Sequence, residues 1–293
     1  MLGGPKNSTA IRLRRRVKTV ADETTPEEST WSDHEVSRQI AAEAGRLLVE
    51  LRRSVPESAD DRWLRDQGDA RSHRMIMDRL AELRPDDAIL SEEGKDDQER
   101  LRHQRVWVID PLDGTREFGE PPRDDWAVHV ALCVGGEPVV GSVALPAQER
   151  VFTTADAFSD APQGSGPLRM VASRTRAPAI VTDIAATLGA DLVYMGSAGA
   201  KAMAVVSGGA DIYLHAGGQY EWDSAAPVAV AIAAGLHCSR IDGSPLVYNQ
   251  PNPYLPDLLI CKRSIAQRVL ALVAAHGEPV DTGSDAVAPG SGF

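Results

Sequence analysis

The feature that most constrains the fold is a short apolar run, residues 106–109, that passes directly into the hexapeptide DPLDGT at residues 110–115. The run predicts a strand. Asp, Pro, Gly and Thr favour a tight loop, so we expect the strand to end there and to turn Asp110 and Asp113 to one side. Thr115 could then cap a following helix, whose free N–H groups can bind phosphate.

Three other segments place carboxylates at the end of an apolar element. Asp69 stands at the start of a helical pattern, and we expect it at the helix N-terminus, where a carboxylate suits the helix dipole. Glu92 and Glu93 follow a short apolar run, and Asp223 opens another predicted helix. Each acid alone is typical of a helix cap or a surface charge. Together they suggest one acidic site assembled from four distant segments.

Carboxylates packed so closely would repel one another and raise one another's pKa values. Hard divalent cations remove that repulsion, and Mg²⁺ prefers oxygen ligands and commonly joins carboxylates to a substrate phosphate. Two such ions about 3.5–4 Å apart can hold the attacking and leaving oxygens of a phosphoryl displacement. The alternative interpretation is that these acids are unrelated caps and surface charges.

Composition limits the class of protein. Lys plus Arg number 31 and Asp plus Glu number 42, so the formal net charge is −11. This balance argues against a protein that follows a nucleic-acid backbone, but not against a small phosphorylated substrate. No apolar run approaches the length of about 20 residues that spans a bilayer, so we expect no membrane partner. Three distant cysteines, Cys133, Cys238 and Cys261, indicate reduced thiols in a cytoplasmic protein. The sequence has no cluster of cysteines and histidines of the kind that binds Zn²⁺, which favours Mg²⁺.

Changes in composition divide the chain into two tails and two lobes. Residues 1–30 and 277–293 show no sustained apolar period, and we predict that both are disordered. Residues 31–165 are predicted to form an N-terminal α+β lobe that carries most of the acidic segments. Residues 166–276 are predicted to form a C-terminal lobe in which strands and helices alternate, which favours layered α/β packing.

Three motifs together resemble those of the inositol monophosphatase superfamily, namely SEE at residues 91–93, DPLDGT at 110–115 and WDSAAP at 222–227. The resemblance covers roughly residues 31–275. It implies a layered αβαβα sandwich of two lobes with the metal site between them. It also implies an Mg²⁺-dependent, lithium-sensitive phosphomonoesterase with about two or three ions per site, and a homodimer. Within the superfamily, the chain is most similar to the CysQ-type bisphosphate nucleotidases in their actinobacterial form.

The resemblance implies specific roles at the metal site. Five positions correspond to metal ligands of the family: Glu92, Asp110, the Leu112 carbonyl, Asp113 and Asp223. Asp113 corresponds to the ligand that bridges the ions. Glu93 corresponds to a residue just outside the ligand set.

The resemblance also implies the catalytic groups. Thr115 corresponds to a hydroxyl that, with Asp69, orients or deprotonates the attacking water, and Glu92 is the third catalytic residue that the resemblance implies. The N–H groups of Gly114 and Thr115 would hold the phosphate. Many relatives carry a threonine before this aspartate, where this chain has Gly68.

Six further positions are candidates for substrate contacts: Ser173, Arg174, Ser197, Lys201, Tyr213 and Gln219. The loop at residues 196–201 differs from the shorter Ser-Lys loop of enterobacterial relatives. The alternative is a helix-capping role for Ser173 and solvated side chains for Arg174 and Lys201. His129, in a predicted strand, is expected to be a packed core histidine without a chemical role.

Three functions remain open from the sequence. The first is hydrolysis of the 3′-phosphate of 3′-phosphoadenosine 5′-phosphate, with phosphoadenylylsulfate as a second candidate substrate. The second is a phosphatase for inositol monophosphate or fructose bisphosphate, since the superfamily shares its metal site across these substrates. The third is a non-catalytic sensor of phosphonucleotides, which the intact acidic set disfavours.

Overall fold

The computed structural model describes residues 30–55, 60–158, 166–175 and 177–277. Apart from residues 30 and 277, the two predicted tails lie outside these ranges, as does the centre of the predicted boundary between the lobes. Within the described ranges, ten strands form two five-stranded sheets and seven α-helices pack against them.

The first sheet takes its strands from the first half of the chain. They are β1 (Ala88–Ser91), β2 (Arg105–Asp113), β3 (Ala127–Val134), β4 (Glu137–Leu145) and β5 (Arg150–Thr153). The strands lie in chain order, with β1 parallel to β2 and every other neighbouring pair antiparallel. Strand β5 was not expected from the sequence.

The second sheet takes its strands from the second half of the chain. They are β6 (Arg169–Ser173), β7 (Asp191–Met195), β8 (Ile212–Tyr220), β9 (His237–Ser239) and β10 (Tyr254–Cys261). Their order is β7-β6-β8-β10-β9, with β6 parallel to both of its neighbours and β10 antiparallel to both of its own. The parallel strands β6, β7 and β8 therefore end at the same edge of the sheet.

Helices form three layers around the two sheets. Helices α1 (Asp33–Arg53) and α2 (Asp61–Leu83) pack on the outer face of the first sheet. Helices α5 (Ala198–Val206) and α6 (Glu221–Ala233) lie between the sheets, in a core that includes residues of both. Helices α4 (Ala179–Leu188) and α7 (Arg263–His276) cover the outer face of the second sheet. The predicted αβαβα sandwich is confirmed, with the single turn α3 (Thr115–Phe118) following β2.

Local sequence signals explain where α1 begins. Ser32 is its N-cap, and the Glu35 side chain accepts from the Ser32 N–H at 2.7 Å, which completes a capping box. The apolar stripe of α1, including Val36, Ile40 and Leu48, is fully buried against the first sheet. None of the helices in the described ranges combines the length and apolarity needed to cross a membrane.

Two local predictions were wrong. Helix α2 begins at Asp61 rather than Asp69, because Asp60 caps it by accepting from the Trp63 N–H at 2.8 Å. Its first two turns are mostly polar, so apolar periodicity did not reveal them, and Asp69 lies inside the helix. Thr115 does not cap α3: Gly114 occupies the N-cap position, with φ of 84°.

Candidate metal centre

Three carboxylates from two elements meet between the sheets. Asp110 and Asp113 lie on β2, and Asp223 lies in the first turn of α6, which follows β8 directly. One oxygen from each of the three lies within 4.8 Å of the others. Asp110 is 1% exposed and Asp113 is 7% exposed, whereas Asp223 is half-buried. The predicted convergence of the DPLDGT and WDSAAP motifs is thus present in the structure.

An irregularity in β2 brings its two aspartates to the same site. Asp110 pairs with His129 and Asp113 pairs with Ala127, so β2 has two residues where β3 has one. The Ser72 hydroxyl on α2 donates to the Pro111 carbonyl at 2.7 Å, and the Leu112 N–H donates to Asp110 Oδ1 at 3.0 Å. The first four residues of the hexapeptide, predicted as a loop, therefore form a bulged continuation of the strand.

The start of α5 holds Asp113. Asp113 Oδ2 accepts from the Ser197 hydroxyl at 2.5 Å and the Gly199 N–H at 2.6 Å, and Oδ1 accepts from the Ala198 N–H at 3.1 Å. Burial by itself raises the pKa of Asp113. His129 and these donors outweigh that effect and lower the pKa to about 2.

The other acids repel one another. Burial and the neighbouring charges of Glu92, Asp113 and Asp223 raise the pKa of Asp110 well above its ordinary value. Burial and Asp113 raise the pKa of Asp223 to about 6, although its Oδ2 accepts from the Tyr220 N–H at 2.6 Å. Such shifts indicate negative charge that the surrounding protein compensates incompletely.

Glu92 extends this acidic cluster toward solvent. Its N–H donates to the Ile109 carbonyl at 3.2 Å, which places it beside Asp110. The residue is exposed, and Asp223, Glu93 and Asp69 lie close enough for their charges to act on its carboxyl. Burial and then Asp223 raise the pKa of Glu92 to about 8.

The donor set fits a hard divalent cation. It consists of carboxylate oxygens and the Leu112 carbonyl oxygen. The neighbouring carboxylates repel one another, and a bound cation would relieve that repulsion. Among the residues that the structure describes, no lysine or arginine lies within salt-bridge distance of Asp110, Asp113 or Asp223. These oxygen ligands suit Mg²⁺.

Asp69 and Thr115 form a pair beside the acidic cluster. The Thr115 hydroxyl lies 3.3 Å from Asp69 Oδ1 and 3.0 Å from the Leu112 carbonyl oxygen, and it can donate to either. Burial and then the Glu93 charge raise the pKa of Asp69 to about 7. Because Asp69 lies inside α2, it lacks the stabilisation that a helix N-terminus would give to an ionised carboxylate.

Ser197 and Lys201 are engaged with protein groups. Ser197 caps α5 by accepting from the Ala200 N–H at 2.9 Å while its hydroxyl donates to Asp113. Lys201 is 5% exposed, its ammonium donates to the Gly196 carbonyl, and it lies 5.4 Å from the centre of the Tyr213 ring. Lys201 is not the solvated side chain of the alternative interpretation. The predicted contacts of both residues with substrate stay predictions.

The remaining substrate candidates lie in different surroundings. Arg174 donates to Glu117 at 2.6 Å and to Glu120 at 2.7 Å. Ser173 lines a cavity of about 700 Å³ at the end of the parallel strands. Tyr213 and Gln219 are buried, and the Tyr213 hydroxyl and both Gln219 amide atoms have no protein partner within the described part of the chain.

Three residues of the site were missed by the sequence predictions. His129 lies against Asp113, Glu117 holds Arg174, and Asp125 accepts from the Gly196 N–H at 2.7 Å. Strand alternation placed His129 on the inner face of β3, but its partners come from elements distant in sequence. Glu117 and Asp125 carried no local signal.

The comparisons with known proteins agree with this geometry. A model described as the inositol monophosphatase family matches residues 32–278. The chain is 51% identical over 241 residues to a Mycobacterium bovis protein named 3′-phosphoadenosine 5′-phosphate phosphatase, covering 79% of this chain and 90% of that one. It is 33% identical over 233 residues to the Escherichia coli protein named 3′(2′),5′-bisphosphate nucleotidase CysQ, covering 74% and 94% respectively.

Solved structures show the same fold. Inositol monophosphatase II from Staphylococcus aureus matches with a TM-score of 0.70 at 19% identity, over 85% of this chain and 98% of that chain. The family model spans most of the chain, and its motif residues meet in one acidic site. The chain therefore belongs to the inositol monophosphatase family.

Proposed function

We propose that this protein is an Mg²⁺-dependent, lithium-sensitive phosphomonoesterase that converts 3′-phosphoadenosine 5′-phosphate to AMP and phosphate. The observation that carries the proposal is the cluster of Asp110, Asp113 and Asp223 within 4.8 Å, beside the pair of Thr115 and Asp69. The names of the M. bovis and E. coli relatives support the nucleotide substrate. Phosphoadenylylsulfate is a second candidate substrate.

The metal ligands are assigned from the contacts around each oxygen. Glu92, Asp110 and the Leu112 carbonyl would hold one ion, and Asp223 and Asp113 would contribute to another. Asp110 lies beside Glu92, and one of its oxygens lies within 4.8 Å of an oxygen of Asp113 and of Asp223. Asp113 Oδ2 already accepts from two donors. Asp110, whose Oδ1 accepts from the Leu112 N–H, would therefore offer more unoccupied lone pairs to the ions than Asp113.

The reaction needs a water molecule aimed at the phosphorus atom. Magnesium supplies charge neutralisation for the phosphoryl group and activation of the attacking water. When the Thr115 hydroxyl hydrogen points to Asp69 or to the Leu112 carbonyl, its oxygen can accept a hydrogen bond from that water. When that hydrogen points to Asp69, the hydroxyl oxygen can take a proton from the water while its own proton passes to Asp69.

The first turn of α3 is assigned to the phosphate. Gly114 adopts a left-handed backbone with φ of 84°, which a side chain would strain, and it aims the start of α3 at the site. The N–H groups of Gly114 and Thr115 have no helical partner four residues earlier, so they can donate to phosphate oxygens.

Phosphate release tests the proposal. We would compare 3′-phosphoadenosine 5′-phosphate with inositol 1-phosphate and fructose 1,6-bisphosphate, each with Mg²⁺, with Mg²⁺ plus lithium, and with chelator. The nucleotide should have the highest kcat/KM, and lithium or chelator should abolish its turnover. A higher kcat/KM for a sugar phosphate would overturn the substrate assignment, and tight nucleotide binding without phosphate release would make the protein a sensor.

A matched pair of variants separates metal binding from general damage. Asp110→Asn removes one charge from the cluster and should abolish turnover. Asp87→Asn removes a carboxylate that binds Arg105 and Trp107, away from the cluster, and should leave turnover near the wild-type rate. Equal loss in both variants would contradict the assigned role of the acidic cluster.

A further inference from the structure

His129 lies where the first sheet, α5 and α6 meet. It is a fully buried residue of β3, on the same strand face as Ala131 and Cys133, which pack into the core between the sheets. The strand pairs it with Asp110, so the imidazole stands directly behind the acidic cluster. His129 is not surrounded by apolar groups alone, because both of its ring nitrogens face oxygen atoms.

Both ring nitrogens face oxygens of the candidate site. Nδ1 lies 3.1 Å from the Trp222 carbonyl oxygen, one residue before Asp223, and 4.0 Å from Asp110 Oδ2. Nε2 lies 3.2 Å from Asp113 Oδ2. Nδ1 is within hydrogen-bond distance of the Trp222 carbonyl, whereas Nε2 lies at ion-pair distance from Asp113 without a hydrogen bond of good geometry. His129 thereby connects an acid of β2 to the helix that carries Asp223.

Close packing fixes the ring in this position. A Cβ atom at Gly199 would lie 2.1 Å from His129 Nε2 and 3.1 Å from the Ala127 Cβ. The Gly199 N–H also donates to Asp113 at 2.6 Å. The imidazole and the first turn of α5 therefore hold the Asp113 carboxylate together, and neither can shift without disturbing the other.

We propose that His129 is a positioning residue that sets the spacing between Asp113 and Asp223 for divalent-cation binding. This inference rests on the proposed metal centre. His129 contacts neither substrate nor cation; it acts through Asp113 and through the Trp222 carbonyl. Losses of hydrogen-bond partners behind metal ligands typically cost about 10- to 100-fold in metal affinity. We expect an effect of that size on Mg²⁺ binding when the Asp113 contact is removed.

Two substitutions separate the two contacts. In His129→Gln the amide nitrogen can stand near the position of Nε2 and keep the Asp113 contact. In His129→Asn it can stand near the position of Nδ1 and keep the Trp222 contact. Mg²⁺ titration by calorimetry, without substrate, should show the larger loss of affinity for His129→Asn. In steady-state assays, the kcat of His129→Asn should approach the wild-type value as the Mg²⁺ concentration is raised, while its KM for the nucleotide should change little.

Cys133→Ala is the matched control, because it removes a buried atom from the same face of the same strand. It should lower Tm and leave Mg²⁺ affinity at the wild-type value. If both His129 variants lower Tm but bind Mg²⁺ like the wild type, His129 is only a core residue and the inference is wrong. If the wild-type protein itself binds no Mg²⁺, the metal centre is wrong, and this inference fails with it.

Discussion

Arg174, which follows β6, donates to Glu117 Oε1 at 2.6 Å, in the single turn α3 that follows β2. The contact joins the second sheet to the segment that carries Gly114 and Thr115. The Glu117 side chain is 7% exposed and that of Arg174 is 24% exposed, so the pair is largely shielded from water. A second carboxylate, Glu120, accepts from the same guanidinium at 2.7 Å.

We expect Arg174→Gln to lower the free energy of unfolding by about 1–3 kcal/mol, because it leaves the buried Glu117 carboxylate without its charged donor. Urea denaturation measures this loss. Arg174→Gln combined with Glu117→Gln should recover part of it, since no unpaired charge then remains. If the single variant is as stable as the wild type, the ion pair does not join the two segments as described.

The Thr115 hydroxyl should be needed for the chemical step rather than for folding. Thr115→Val keeps the shape of the side chain but cannot bond Asp69 or the Leu112 carbonyl. We expect kcat to fall about 100-fold or more, as for loss of general acid–base assistance, with Tm close to the wild-type value. Thr115→Ser restores a hydroxyl and should recover most of the activity. Equal activity of the valine and serine variants would exclude this role.

Local patterns in the sequence predicted layered α/β packing and suggested that Asp110, Asp113 and Asp223 meet in one site, and the resemblance to the family implied the αβαβα order of layers. Each of these carboxylates ends or begins an apolar element, and the ends of such elements meet at sheet edges. The bulge in β2 was not predictable, because the Ser72 hydroxyl on a distant helix holds the Pro111 carbonyl. The hydrogen bonds from the start of α5 to Asp113 were not predictable either, because they join the two halves of the chain.

The first turns of α2 show a different limit. Apolar periodicity detects a helix by its buried stripe, and the segment before Asp69 buries only Leu64 and Gly68. The helix start was therefore placed too late. Asp69 was consequently interpreted as a cap, whereas burial inside the protein raises its pKa to about 7.

Asp33 should contribute stability that depends on pH. It binds Arg84 at 2.7 Å and Arg105 at 3.1 Å, joining the start of α1 to the end of α2 and to β2. Burial raises its pKa, but the two guanidiniums outweigh burial and lower the pKa below the ordinary value of 3.8. The stabilisation is therefore fully present above about pH 4 and is lost as pH falls through the lower pKa of the folded state.

Urea denaturation of the wild type and Asp33→Asn at several pH values measures how the stabilisation by Asp33 depends on pH. The wild type should be the more stable protein at pH 7, and the difference should narrow below pH 4 as the carboxyl is protonated. Glu137→Gln, at the exposed start of β4, controls for the loss of one negative charge. A difference that stays constant down to pH 2 would show that the charge of Asp33 does not stabilise the fold.

Ser197 distinguishes a structural contact from a substrate contact. Its hydroxyl donates to Asp113 at 2.5 Å and accepts from the Ala200 N–H at 2.9 Å, and the residue is 3% exposed. We expect Ser197→Ala to lower the free energy of unfolding by about 1 kcal/mol through loss of the N-cap. It should also weaken Mg²⁺ binding, because Asp113 loses a donor, while KM for the nucleotide at saturating Mg²⁺ stays near the wild-type value. A KM that rises at saturating Mg²⁺, with Mg²⁺ affinity unchanged, would instead assign Ser197 to the substrate, as the resemblance to the family implied.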